Sequence, residues 1–260
     1  MTTIMIYSEA GGVTKTTTAV SLAMTAAATH NVTLIDLDPR AAATQWIGIT
    51  PEQSWQTIDA IIADENPEGW VADLAITSPW SERLKVVPSS RQLSTREQNI
   101  EPHADLRLLT ALEGVEDLVI IDCPNRQGGI LTQNALAASD YVVYAARANQ
   151  DGIDGIEGGR QSVARFIASR EKIKAPVPLQ ELGIVVGDVT DTIMPKVAKV
   201  ALSDLGELDI PILGIAPRRT VVDQVRMTGD WYGNFDKGKV VAQAYSDIFD
   251  TITRRITQDA

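Results

Sequence analysis

Short apolar runs alternate with helix-length segments along the whole chain. The candidate strands are Thr3–Tyr7, Val32–Asp36, Leu84–Val87, Asp117–Ile121, Tyr141–Ala146, Leu182–Val186 and Ile212–Ala216. Several are rich in Val and Ile without polar alternation, the pattern of strands covered on both faces. Helical patterns lie between them at Lys15–Ala28, Ile153–Ser169, Lys196–Leu205 and Val240–Ile256. Alternation of this kind predicts an α/β fold, a mostly parallel twisted sheet with helices on both faces and right-handed crossovers. No repeat, low-complexity tract or long linker breaks the pattern, so residues 1–260 are expected to form a single domain. The least regular stretch is 48–80. Trp46, Trp55, Trp70 and Trp80 fall in or beside it. A small helical insertion with its own aromatic core is expected there; a partner or dimer contact is the alternative, because aromatics also concentrate at interfaces.

The first strand runs into Ser8-Glu9-Ala10-Gly11-Gly12-Val13-Thr14-Lys15-Thr16-Thr17-Thr18 and then a helix. A strand turning through glycines into a helix aims backbone N–H groups and the helix N-terminus at one point, which makes an anion site. Gly11 and Gly12 let the backbone approach phosphates, Lys15 is placed to reach them, and the Thr16 hydroxyl is placed for Mg²⁺. The pattern G-x-x-x-x-G-K-[ST] is met only in part, since Glu9 and Thr14 stand at its two outer glycine positions.

Two later strands end in acids. Thr33-Leu34-Ile35-Asp36-Leu37-Asp38-Pro39-Arg40 puts Asp36 and Asp38 on one side by period-two alternation. Asp117-Leu118-Val119-Ile120-Ile121-Asp122 closes on an acid suited to holding Mg²⁺ through water. Carboxylates at the C-terminal ends of strands lie where open α/β sheets bind ligands.

Composition narrows the picture. A net charge of −11 argues against a chain that coats nucleic acid with its whole surface. The charge is uneven: residues 1–150 hold 9 Lys/Arg against 18 Asp/Glu, and residues 151–260 hold 14 against 16. A local basic face is therefore compatible with the C-terminal part. One cysteine, Cys123, and two histidines leave no disulfide framework and no zinc cluster, and suit a reducing cytoplasm. The start runs directly into an apolar strand, and neither a signal peptide nor a membrane span is expected.

Together these residues resemble the deviant-Walker ATPases that include ParA partition proteins and the MinD division regulators. Ala10-Gly11-Gly12-Val13-Thr14-Lys15-Thr16-Thr17 is similar to that family's K-G-G-V-G-K-T-T, and Asp36-Leu37-Asp38-Pro39-Arg40 to its D-x-D-P-Q segment. Ile120-Ile121-Asp122-Cys123-Pro124 resembles the Walker B segment. Pro88-Ser89 and Ile215-Ala216-Pro217-Arg218 with Gly229 resemble two further segments. The resemblance implies a P-loop NTPase-like fold that binds ATP or ADP with Mg²⁺ and dimerises on nonspecific DNA when ATP is bound. It further implies slow hydrolysis with a ParB-type centromere-binding partner, in the cytoplasm and on the nucleoid. By motif match, residues Gly11 to Thr17 and Pro217 would bind the nucleotide, and Lys15 and Asp38 would serve hydrolysis. Thr16, Asp122 and Asp36 would support the metal.

Two departures stand out. The family's extra lysine, which reaches across the dimer, is replaced by Ala10, and a loop glycine by Thr14. Losing that cation should slow hydrolysis and weaken dimerisation, unless Arg126 or Arg147 substitutes. For DNA contact the candidates are Arg218, Arg219 and Arg226 with Lys196 and Lys199, and Lys237 and Lys239 lie downstream. The alternative is that these residues pair with Asp223, Asp230 and Asp236 on a solvated face. No helix-turn-helix pattern precedes the first strand, so operator-specific binding is not expected. Competing functions are a nucleotide-gated adaptor with little hydrolysis, a MinD-like membrane-associated regulator, and a P-loop metabolic enzyme. The tail lacks the bulky apolar face of a lipid anchor.

Overall fold

The computed structural model describes residues 1–175 and 177–259. Strands β1 (Thr2–Tyr7), β2 (Val32–Asp36), β3 (Ile76–Ser78), β4 (Ser81–Val87), β5 (Leu118–Asp122), β6 (Tyr141–Ala146), β7 (Gln180–Val189) and β8 (Ile212–Pro217) form one sheet. Their order is β3-β4-β2-β5-β1-β6-β7-β8, all parallel except the edge strand β3. The seven strands expected from the apolar runs are all present, two with the expected bounds and the others with ends shifted by up to three residues. The eighth is β3, a three-residue strand inside the stretch expected to be helical. It pairs antiparallel with β4 through the turn at Pro79 and Trp80.

Alternation along each strand divides the interior between two faces. Met5, Tyr7, Ile35, Val119, Ile121, Val142 and Tyr144 face one core. That core is covered by α3 (Ile58–Ala63), α5 (Arg107–Ala111), α6 (Ile130–Ala138), α7 (Gln150–Lys172) and α8 (Lys196–Glu207). Ile4, Ile6, Leu34, Ile120, Val143 and Ala145 face the other. That core lies under α1 (Lys15–Ala26), α2 (Ala42–Ile47), α9 (Thr220–Thr228) and α10 (Asp236–Asp259). The long helices are where the sequence puts them. Those of five or six residues are too short for a 3.6-residue period to emerge from the sequence.

The tryptophans do not build a separate core. Trp46 and Trp80 lie 6.1 Å apart, edge to face, and pack on Trp231 and Tyr232 from the far end of the chain. Each indole N–H bonds a backbone carbonyl there, Trp46 at Asp230 (3.2 Å) and Trp80 at Gly229 (2.9 Å). Trp70, at the start of α4 (Trp70–Leu74), packs at the margin of the opposite core, and Trp55 is exposed. The stretch is tied into the sheet's two cores, its rings burying area both on apolar faces already present and on one another.

Candidate functional site

The strand order sets β5 between β1 and β2, so three C-terminal strand ends converge. Asp36 and Asp122 are register partners across β2 and β5, and Asp122 stands beside Ile6 of β1. Above them the loop after β1 curls into α1, with Gly12 at φ 70° and Thr14 at φ 71°. The left-handed turn at Gly12 is free of strain. At Thr14, a β-branched residue, it is disfavoured. The Thr14 side chain fits because residue 187 of β7 is glycine: a Cβ there would stand 2.5 Å from Thr14 Oγ1.

Lys15 is 7% exposed and donates from Nζ to the carbonyl of Ala10 at 2.7 Å. Burial lowers its pKa, opposed by the charges of Asp122 and Asp38. Asp122 is fully buried, and neither carboxylate oxygen has a hydrogen-bond partner. Burial and then the adjacent Asp36 hold its pKa well above the usual carboxylate range, while the nearby Thr16 hydroxyl, which does not meet hydrogen-bond geometry to either oxygen, and the Lys15 charge pull the other way. Asp36 differs. It accepts from Thr44 N (2.8 Å), Thr44 Oγ1 (2.7 Å) and Asp38 N (3.3 Å). Burial pushes its pKa up to about 6 despite these bonds. Thr44 Oγ1 in turn accepts from Ser89 N, and Ser89 Oγ donates to the Asp38 carbonyl. Asp36 is thus the root of a network that shapes the Asp38 segment, its lone pairs already engaged, whereas the orphaned oxygens of Asp122 lack partners.

A cleft of about 300 Å³ opens over these strand ends. Of the expected residues, Gly12, Val13, Thr14, Lys15, Thr16, Thr17, Asp38, Pro217, Arg218, Arg219 and Arg226 line it. Asp36 and Asp122 are buried and Gly11 is exposed; none of the three lines it. Lys196 and Lys199 are exposed on α8 and do not line it. The three arginines are engaged, none of them with the expected acids. Arg218 faces Asp188 at 3.5 Å, Arg219 pairs with Asp191 at 2.6 Å, and Arg226 lies over the Trp46 ring at 5.4 Å. Lys239 does pair with Asp236. Arg126 is turned to Glu97 at 3.8 Å.

Arg40, Asn125, Asp188 and Tyr245 also line the cleft, outside the set expected from sequence. Asn125 lies three residues beyond the acidic end of β5, so proximity in sequence was a usable signal. Asp188 and Tyr245 had none: Tyr245 meets Thr18 (3.2 Å) from 227 residues away.

The site can hold a polyanion. A helix N-terminus, a glycine-bearing loop and a buried lysine face the same opening, and a carboxylate with two free oxygens lies below them. Among the described residues no three His, Cys, Asp or Glu side chains cluster as a metal cage.

An AAA domain family (AAA_31) matches residues 1–174. The chain is 38% identical over 159 residues to the sporulation initiation inhibitor protein Soj of Bacillus subtilis, covering 59% of this chain and 61% of that protein. It thus spans less than two thirds of that relative's length. It is 32% identical over 188 residues to the chromosome-partitioning ATPase Soj of Thermus thermophilus, covering 70% and 68%. Among solved structures, a Cyanothece McdA variant in complex with ATP superposes with a TM-score of 0.79. Its identity is 21%, over 99% of this chain and 96% of that one, so the likeness speaks for the fold.

Proposed function

The chain belongs to the AAA domain family and its ParA/Soj-type partition ATPases, and from that premise we propose that it is an ATP-binding DNA-partition protein. In this reading it dimerises on nonspecific DNA when ATP is bound, and hydrolyses ATP slowly with a ParB-type partner while associated with the nucleoid. The observation that carries the nucleotide reading is the pair of partnerless oxygens on Asp122 beneath the Lys15 loop. A buried carboxylate left without donors is costly unless a cation joins it.

The backbone from Gly11 to Thr17 would cradle the phosphates. Lys15 would exchange the Ala10 carbonyl for phosphate oxygens. Thr16 and Asp122 would hold Mg²⁺, which neutralises charge developing on the phosphates when bound. Asp36 would support that site from beneath by fixing the segment that presents Asp38, and Asp38 would orient the attacking water. Pro217 would lie against the base. Arg218, Arg219 and Arg226, flanking the cleft, with Lys196 and Lys199 on α8, would contact DNA phosphates. A dimer would double that patch.

A second reading, a nucleotide-gated adaptor that barely turns over, is favoured by Ala10. No cation stands at that position, and its side chain packs against α7 at Gly155. The membrane alternative is disfavoured. Val241, Tyr245, Ile248, Phe249 and Ile252 of α10 are buried in the core and leave that helix no free apolar face for lipid.

ATP binding and turnover, with and without nonspecific DNA, test these readings in the wild type and in Lys15→Ala. Slow turnover raised by DNA and abolished by the substitution supports the partition ATPase. Binding that needs Lys15 but yields no turnover selects the adaptor. Absence of both refutes the nucleotide site.

A further inference from the structure

The loss of the lysine at position 10 raises the question of what cation, if any, faces the last phosphate. The wall behind Ala10 is filled. Glu9 N donates to the Gly155 carbonyl at 3.2 Å, and a Cβ on Gly155 would stand 2.6 Å from the Ala10 Cβ. Helix α7 is therefore seated directly on the arm of the phosphate loop. Arg147 lies three residues before that helix, at the end of β6, the neighbour of β1. It lines the cleft together with Lys15, Thr16 and Asp38. Arg126, the other candidate, does not.

Arg147 is held at both ends. Its carbonyl accepts from Asn149 N at 2.9 Å, and Asn149 caps α7 by accepting from Gly152 N at 3.0 Å. A Cβ on Gly152 would stand only 2.1 Å from the Arg147 carbonyl oxygen, so the glycine is what lets the helix approach. At the other end, Nη2 lies 2.8 Å from Asp188 Oδ2. Asp188 keeps a left-handed backbone (φ 60°), a disfavoured state that needs support from its surroundings. Its single negative charge sits between Arg147 and Arg218 and leaves a net positive charge at the cleft. The Arg147 side chain is 46% exposed, and its planar fork has donors to spare for a phosphate.

We propose that Arg147 supplies from within the same chain the cation that faces the terminal phosphate, in place of the lysine absent at position 10, and that Asp188 is the residue positioning it. The proposal rests on the nucleotide-binding reading above. A cation so placed discriminates triphosphate from diphosphate, because it meets the charge that only the former carries.

The test is equilibrium binding of Mg-ATP and Mg-ADP to the full chain, by displacement of a fluorescent ADP analogue. The variants are Arg147→Ala, Arg147→Gln, Asp188→Asn, the double variant Arg147→Ala/Asp188→Asn, and Arg126→Ala, each checked by thermal melt. Asparagine tolerates the left-handed backbone, so Asp188→Asn removes charge and keeps the turn. Arg147→Ala and Arg147→Gln should weaken ATP binding about tenfold or more, with ADP changed about twofold or less. Asp188→Asn should lower the same ATP preference on its own, yet add nothing to Arg147→Ala in the double variant. Arg126→Ala should match the wild type. Equal losses for ATP and ADP, or an unchanged ratio in both Arg147 variants, would overturn the assignment while leaving the nucleotide site intact. A wild type that binds neither nucleotide would overturn the parent reading as well.

Discussion

Gly187→Ala is the substitution that most directly tests how this phosphate loop carries a threonine in place of a glycine. The added methyl would stand 2.5 Å from Thr14 Oγ1 and 3.0 Å from both Thr14 Cβ and Cγ2. Thr14 has little room to yield. It is β-branched, its φ is already 71°, and its hydroxyl is buried without a partner. Overpacking of this kind costs about 1–3 kcal/mol. For a chain of this size a midpoint of that range lowers the melting temperature by roughly 4–8 °C. The loop carries the loss into function, so nucleotide affinity should fall with it. Thr14→Gly alone should change stability by about 1 kcal/mol or less, since relief of the left-handed strain offsets the greater freedom of the unfolded chain. Combined with Gly187→Ala it should restore most of the lost stability and binding. Thermal and urea unfolding followed by circular dichroism, with nucleotide titration in parallel, read all four proteins. A double variant that melts no higher than Gly187→Ala would refute the contact as the cause.

Three further outcomes are expected. Asp122 and Asp36 have folded-state pKa values above the unfolded value, so the folded chain holds their protons longer and its stability declines as pH rises from about 4 through 6 and beyond. Asp122→Asn should flatten that decline, giving a nucleotide-free protein whose stability gain grows with pH, and should abolish Mg²⁺-dependent binding; melts between pH 5 and 8 check both. Arg218→Ala and Arg219→Ala should each reduce the log–log salt slope of DNA binding by about 1, and Asp191→Asn, which frees Arg219, should strengthen binding at low salt. Trp46→Phe should cost about 1–2 kcal/mol by removing the bond to the Asp230 carbonyl and weakening the seat of Arg226, whereas Trp55→Ala should stay within about 0.5 kcal/mol; chemical denaturation distinguishes them.

Much of the candidate site's layout was legible because its parts are local. The glycines, Lys15 and Thr16 follow one strand within a few residues, and Asp38 and Asp122 each close an apolar run; the alternation and backbone constraints that place them act over short distances. The sheet was legible for the same reason. Apolar runs without polar alternation specify strands covered on both faces wherever the chain later sends them. The five-residue helices and β3 were not, since each draws its stability from packing and edge pairing rather than from a pattern of its own.

Local pattern thus carries the element order, the glycine-bearing loop and the acids that close its neighbouring strands. How those parts are arranged follows from the packing of distant segments. Strand order set Asp36 against Asp122, and the surrounding donors then separated them, satisfying Asp36 through Thr44 and Asp38 and leaving Asp122 without partners. The same packing brought Gly187 against Thr14, Asp188 against Arg147 and Arg218, and Trp231 and Tyr232 onto Trp46 and Trp80. Most of these partners are 40 or more residues apart in the chain. No local propensity encodes such pairs, because their energy exists only once the sheet has closed the distance between them.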